Sequence, residues 1–355
     1  MLHGSLLIAF AASAGAMHAP GRRDHTTIKK DLVAAKKPEL KPPAFLKRAY
    51  GVCGMATAAA WSTVVCTTIR SNQPPGALMP SSTHAIFARS SVLSAVPLVA
   101  SCYYTLASSC GSWDQLGSDT CRTLNLALAA ACVGSALWVG FAPHITQIPG
   151  SSPPASHWSP SSNPLQRGLP RAALIGAYGA SAALSGAVWA RSLPEDVRAK
   201  PLTWPGRIVD GVSKSLVSLG PADVNDPVAV KYSLLATSFA LLTAMPLLLP
   251  FPFAVVPSWT GRRCSRAFPA WTLLAAATSY NLKEAAESGK LYTESTYKAL
   301  SSGLAGMGAL YLLAKGGAIF IDPSFPVHYG IVRQVFPLQA AAATAMSLTL
   351  RPDTK

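Results

Sequence analysis

Eight stretches of this chain are apolar over close to the roughly 20 residues that a helix needs to cross the hydrocarbon core of a bilayer, about 30 Å thick at 1.5 Å of rise per residue. They fall at 50–69, 91–109, 122–141, 171–190, 230–255, 267–282, 299–320 and 333–350. Only 13% of the 355 residues are charged and 50% are apolar, with mean hydropathy +0.30, whereas a soluble domain is about a quarter charged. The expected fold is therefore all-α: a polytopic membrane protein of about eight transmembrane helices. Pro246, Pro250, Pro252 and Pro257 interrupt the fifth stretch, so its helix is expected to end near Met245 and to leave by a kinked or extended exit.

The flanks divide the chain further. Residues 1–49 read as a targeting segment followed by a basic arm. The apolar run Leu6 to Met17 lacks a preceding Lys or Arg, and nine Lys or Arg with four Pro follow over residues 18–49. That order fits organellar import or a retained interfacial helix at least as well as a cleaved secretory leader. Residues 191–228 form a polar connector, and 351–355 a short tail.

Sliding the chain over itself by 176 residues aligns Tyr104 with Tyr280 and continues without a gap to Gly140 on Gly316, with nine identities in 37 positions. Among them are Leu106/Leu282, Thr120/Thr296, Leu124/Leu300 and Leu128/Leu304. The same offset lays Ala60 on Ala236 and Thr67 on Thr243. Two four-helix units are expected, 50–190 and 229–350. An even number of spans per unit makes the repeats parallel, related by an axis near the membrane normal.

With eight spans, 14 of the 15 acids fall on the side that holds both termini. The other face carries Arg70, Arg89, Arg262, Arg263, Arg266 and Arg333 beside the single acid Asp322. Guanidinium forks bind phosphate bidentately, so these arginines are the expected contacts for anionic phospholipid or an acidic partner; snorkelling anchors at helix ends are the alternative. The net charge of +15 is spread between apolar runs, which argues against nucleic acid as a partner. The terminal side holds 21 of the 30 basic residues, and the positive-inside rule then places both termini in the cytosol or matrix.

Catalytic chemistry has little to stand on. No ionisable residue lies near the centre of a stretch; Lys231, Lys283, Glu284, Glu287 and Lys315 all sit at ends. The seven His and seven Cys make no CxxC, HExxH or His box, so no metal and no cofactor is expected. Cys110 and Cys121 could pair only on an oxidising side. Asp114, Asp119, Glu284 and Glu287 are the nearest candidates for a lipid-modifying centre, and helix-end solvation accounts for them equally.

Small residues recur instead at four-residue spacing: Ala127, Ala131 and Ser135; Ala172, Gly176 and Ala180; Gly179, Ala183 and Ala187; Ala305 and Ala309. Such ridges let helices approach closely where lipid removes the hydrophobic incentive to associate. They serve internal packing or a second subunit.

The text Arg266-Ala-Phe268-Pro-Ala-Trp271-Thr272-Leu273-Leu274, followed by Leu291-Tyr292, resembles the Arg-x-Phe-x-x-Trp-Thr-Leu-Leu stretch and later Leu-Tyr of the ergosterol-biosynthesis scaffold family. Those are four-span proteins of the endoplasmic reticulum that tether sterol-modifying enzymes. The resemblance implies one such unit per half and scaffolding without catalysis. The family's His and Glu of the next helix have no counterpart between Gly303 and Leu313.

The expected function is that of a non-catalytic scaffold or accessory subunit of a larger membrane assembly, in the mitochondrial inner membrane first and the endoplasmic reticulum second. Its partners would be other membrane subunits and anionic lipid. The opposing class is a transporter or channel with a site between the two repeats.

Overall fold

The computed structural model describes residues 42–67, 93–145, 171–193, 218–220, 226–248 and 259–321, and these are helical with short turns. The helices are α1 (Phe45–Thr67), α2 (Val96–Ser108), the one-turn α3 (Trp113–Leu116), α4 (Asp119–Ile145), α5 (Arg171–Ser192), α6 (Pro227–Leu248), α7 (Trp259–Glu287) and α8 (Ser295–Ile321). Three of them contain a stretch long and apolar enough to cross a membrane: Asp119–Leu137, Ala172–Ser192 and Pro227–Ala244. The eighth apolar stretch, 333–350, lies outside the described residues.

Local chemistry sets several boundaries. Asp226 caps α6, its Oδ1 accepting from the Val228 and Ala229 amides at 2.9 and 3.2 Å, and Pro227 occupies the first helical position, where no amide is needed. Gly289, at φ +70°, ends α7: the Lys290 amide bonds back to the Ala285 carbonyl and that of Gly289 to Ala286. This is the left-handed closure that glycine adopts without a Cβ penalty. Pro246 and Pro269 lie inside helices, and the first of them was expected to end its helix. α6 runs through Pro246 to Leu248, and α7 starts at Trp259 and carries Pro269 within it. Each ring forfeits a single helical hydrogen bond, which flanking turns can carry.

Neighbouring helices alternate in direction. Tyr50 in α1 meets Asn125 in α4, both near their helix starts, so α1 and α4 run the same way. Pro97 and Ser101 of α2 meet Gly306 and Gly303 of α8 in reversed order, so that pair is antiparallel. Arg191 at the end of α5 lies 4.9 Å from the Trp113 ring beyond the end of α2. One end of the bundle therefore gathers the starts of α1, α4, α6 and α8 with the ends of α2, α5 and α7. Every described acid is at this end, in Asp119–Arg122, Lys283–Glu284, Lys283–Glu287 and Lys290–Glu294 pairs or at Asp114 and Asp226.

Packing follows a reciprocal plan. α1 packs on α2 and α6 on α7, while α2 packs on α8 and α4 on α7. α4 and α8 begin and end 176 positions apart. Cys102 Sγ and Thr278 Oγ1, also separated by 176, touch each other at 3.7 Å where α2 and α7 meet. Leu98 and Leu274, Leu106 and Leu282, Leu124 and Leu300, and Leu128 and Leu304 are buried in pairs. The first helices follow a different register. Tyr50 donates to Asn125 Oδ1 at 2.7 Å, and the Tyr232 and Ser301 hydroxyls stand 3.4 Å apart. Asn125 and Ser301 keep the 176 offset, but Tyr232 lies 182 residues after Tyr50. The Ala60/Ala236 alignment is thus six residues out of step with these contacts.

Candidate functional site

The small-residue ridges separate into two kinds. On α4, Ala127, Ala131 and Ser135 are buried, in a helix that packs against both α5 and α7. On α5, the opposite holds: Ala172, Gly176, Gly179, Ala180, Ala183 and Ala187 all face outward. A Cβ placed on Gly176 or Gly179 would meet nothing within 4 Å. The inward stripe of α5 is Leu174, Tyr178, Ser181, Ser185 and Val188. Only 28% of the apolar window of α5 is buried, against 67% for α4 and 44% for α6. Ala305 and Ala309 are half-buried on α8.

Exposure alone would be ordinary for a lipid-facing surface. The residue types are not. Outward apolar positions on α6 are Leu234 and Leu241, and on α8 Leu310, Leu313 and Phe320 flank the exposed Gly316 and Gly317. The leucines and the phenylalanine are large side chains that fill the space beside a helix. α5 presents a shallow groove of methyl groups and bare backbone, with Ile175 its one exposed large aliphatic.

Of the expected phosphate contacts, Arg262, Arg263 and Arg266 lie on the first turns of α7, at the end opposite the acids. Arg70, Arg89 and Arg333 lie outside the described residues. The acids singled out in the sequence lie at the other end, where Asp119, Glu284 and Glu287 are paired with basic side chains. Lys283, with its side chain 3% exposed, donates to the Ser218 carbonyl at 2.9 Å and pairs with Glu284 and Glu287 at 3.1 Å each. It also stands 5.7 Å from the Tyr280 ring. Ser233 Oγ donates to the Leu219 carbonyl, so the connector's residues 218–220 are strapped across the α6–α7 end. This arrangement consumes the charges in holding the strap.

The sequence reading missed a polar node at the middle of the first four helices. Thr57 Oγ1 stands 3.1 Å from Tyr103 OH and 2.8 Å from Ser181 Oγ, and Tyr103 OH is 3.9 Å from Cys132 Sγ. Each of α1, α2, α4 and α5 contributes one group. In the second half, Ser279 holds the place of Tyr103 and Gly308 that of Cys132, and Ser279 and Phe239 of α6 are both buried. The available signal was the polar spacing Tyr50/Thr57 and Ser181/Ser185 inside apolar text, which follows one helix face.

Beyond the end of α2, Cys110 is half-buried in the turn Ser109–Gly111, and burial pushes its thiol up to about 11, with neighbouring Cys121 adding to the rise and Lys47 opposing it. A thiol at that value is about one part in a thousand thiolate at pH 8, and only the thiolate attacks alkylators. Alkylation of Cys110 in the folded protein, followed by peptide mass spectrometry, is expected to be slow at pH 8. It should quicken about tenfold per pH unit until near 11. A fast reaction at pH 7 would show that this turn is open.

Among the described residues, no group of three His, Cys, Asp or Glu side chains stands together as a metal site. No family model, curated protein or solved structure matches the chain.

Proposed function

We propose that the protein is a non-catalytic multi-pass membrane scaffold or accessory subunit that docks a partner's transmembrane helix along the outward face of α5. The observation that carries this reading is the contrast within one molecule: α5 exposes Gly176, Gly179, Ala180 and Ala183 over successive turns, whereas α6 exposes Leu234 and Leu241, and α8 sets Leu310, Leu313 and Phe320 around its exposed Gly316 and Gly317. In hydrocarbon, close backbone approach is what drives helix pairing, and a groove of small residues gains little from flexible lipid chains.

We read the whole as eight spans in two parallel four-helix units, 50–190 and 229–350, with both termini on one side. The matching limits of α4 and α8, the Cys102–Thr278 contact and the paired Tyr50–Asn125 and Tyr232–Ser301 contacts support an internal twofold relation. An organellar membrane fits the basic arm, with the mitochondrial inner membrane first and the endoplasmic reticulum second. The arginines at the start of α7 would hold anionic headgroups.

The test is purification from the native membrane in mild detergent, with Gly179→Leu/Ala183→Leu compared with the unaltered chain. Because both sites have open space, the variant is expected to fold and melt as before. It should lose its co-migrating partner on a native gel. A retained partner would remove α5 as the docking face. In the same gels, changing Arg262, Arg263 and Arg266 to Gln should lower bound anionic lipid. Solute flux in proteoliposomes containing this chain alone would replace the scaffold reading with transport.

A further inference from the structure

The polar node is one layer of a longer column. Thr57, Tyr103, Cys132 and Ser181 meet close to the midpoints of α1, α4 and α5. From that level toward the acid-bearing end, the next inward residue of α5 is Ser185. Four residues on a helix descend about 6 Å. In the same direction Tyr50 and Asn125 lie seven residues before Thr57 and Cys132, a descent of about 10 Å. They are joined by the 2.7 Å hydrogen bond that Tyr50 OH donates. The Tyr50 and Tyr103 rings, 6.5 Å apart, connect the two layers along one side. Ser185 thus falls between two polar layers of the same four helices.

Ser185 Oγ and Asn125 Nδ2 are both fully buried, and neither has a hydrogen-bonding partner among the described residues. Buried polar atoms are almost always paired, because leaving one unpaired forfeits its hydration without return. In a membrane-embedded bundle no bulk solvent reaches them to compensate. The surrounding groups are hydroxyls, an amide and a thiol, all neutral near pH 7. They can donate to and accept from an uncharged molecule, and they offer nothing to an ion.

We infer that the first four-helix unit holds a bound, uncharged hydrogen-bonding group between its two polar layers, satisfying Ser185 Oγ and Asn125 Nδ2. The chemistry suits a water molecule or the hydroxyl or carbonyl of a neutral lipid. The second half carries buried polar groups too, among them the Thr243–Thr272 hydrogen bond and the side chains of Ser279 and Asn281, but not this set of four groups from four helices. There Ser279 and Gly308 replace Tyr103 and Cys132, and Phe239 supplies an apolar ring.

Ser185→Ala in the full-length chain tests this by the sign of its effect, because the substitution removes one oxygen and leaves packing intact. With a bound molecule in place, that molecule loses a partner, and the melting temperature in detergent falls by about 2 °C or more. Were the site empty, the change would delete an unsatisfied group, and the melting temperature would hold or rise; that outcome overturns the inference. The double variant Tyr50→Phe/Asn125→Leu checks it from the other layer. With the site occupied, adding Ser185→Ala to it should bring no further loss, since both act on one molecule. A full additive loss would overturn the shared site. Organic extraction of the purified proteins separates the sources. A neutral lipid present in the unaltered chain and depleted in Ser185→Ala identifies a lipid, and none in either identifies water.

Discussion

Gly303→Ala is expected to destabilise the protein by about 2–3 kcal/mol, the upper range for overpacking a well-filled core, and Ser101→Gly is expected to restore most of it. A Cβ on Gly303 would stand 1.9 Å from Ser101 Oγ, 2.4 Å from Ser101 Cβ and 3.1 Å from the Pro97 carbonyl. A rotamer change at Ser101 moves Oγ but not Cβ, so relief needs α8 to move off α2. That crossing is one of the two reciprocal contacts between the halves, and its displacement would strain the Cys102–Thr278 contact one residue along α2. The corresponding residue of the other crossing, Ala127 of α4, is buried with its methyl group accommodated. Melting temperatures of the two single variants and the double, each in the same detergent, form a double-mutant cycle. An uncorrected loss in the double variant would show that the cost does not arise at this contact.

Lys283→Met is expected to cost about 2–3 kcal/mol and to free the connector. Removing one member of a buried ion pair strands the other, at about 3–5 kcal/mol when both are enclosed. Here the partners are partly wet, Glu284 at 36% and Glu287 at 17% side-chain exposure, which lowers the figure. The Ser218 carbonyl loses its 2.9 Å donor as well. Limited proteolysis reads the second effect directly, because cleavage at residues 218–220 should quicken before the helices melt. Cleavage at an unchanged rate would mean that Ser233 alone holds the strap. Lys283→Arg keeps the charge and should retain most of the stability.

Much of this architecture was legible in the sequence because its cause is local. Long apolar runs with charges at their ends form helices whatever their neighbours do, and the described helices fall on seven of the eight expected stretches. The limits of α4 and α8 also lie 176 residues apart, the offset at which the sequence aligns on itself. Helix ends were less legible: Pro246 looked like a terminus and Pro269 drew no notice, because a proline's effect depends on whether adjoining turns carry the lost hydrogen bond.

What the tertiary structure decided is which face of each helix is spent. Ala127 and Ala131 on α4 and Gly176 and Gly179 on α5 are the same kind of ridge in sequence, yet the first is buried and the second is open. A period of small residues fixes a stripe but not its neighbour, since the neighbour is chosen by contacts distant in the chain. The same holds for the node of Thr57, Tyr103, Cys132 and Ser181, whose members are up to 124 residues apart. Only packing brings such groups within hydrogen-bonding reach, because each helix supplies direction and spacing while the partner that completes the bond comes from elsewhere in the fold.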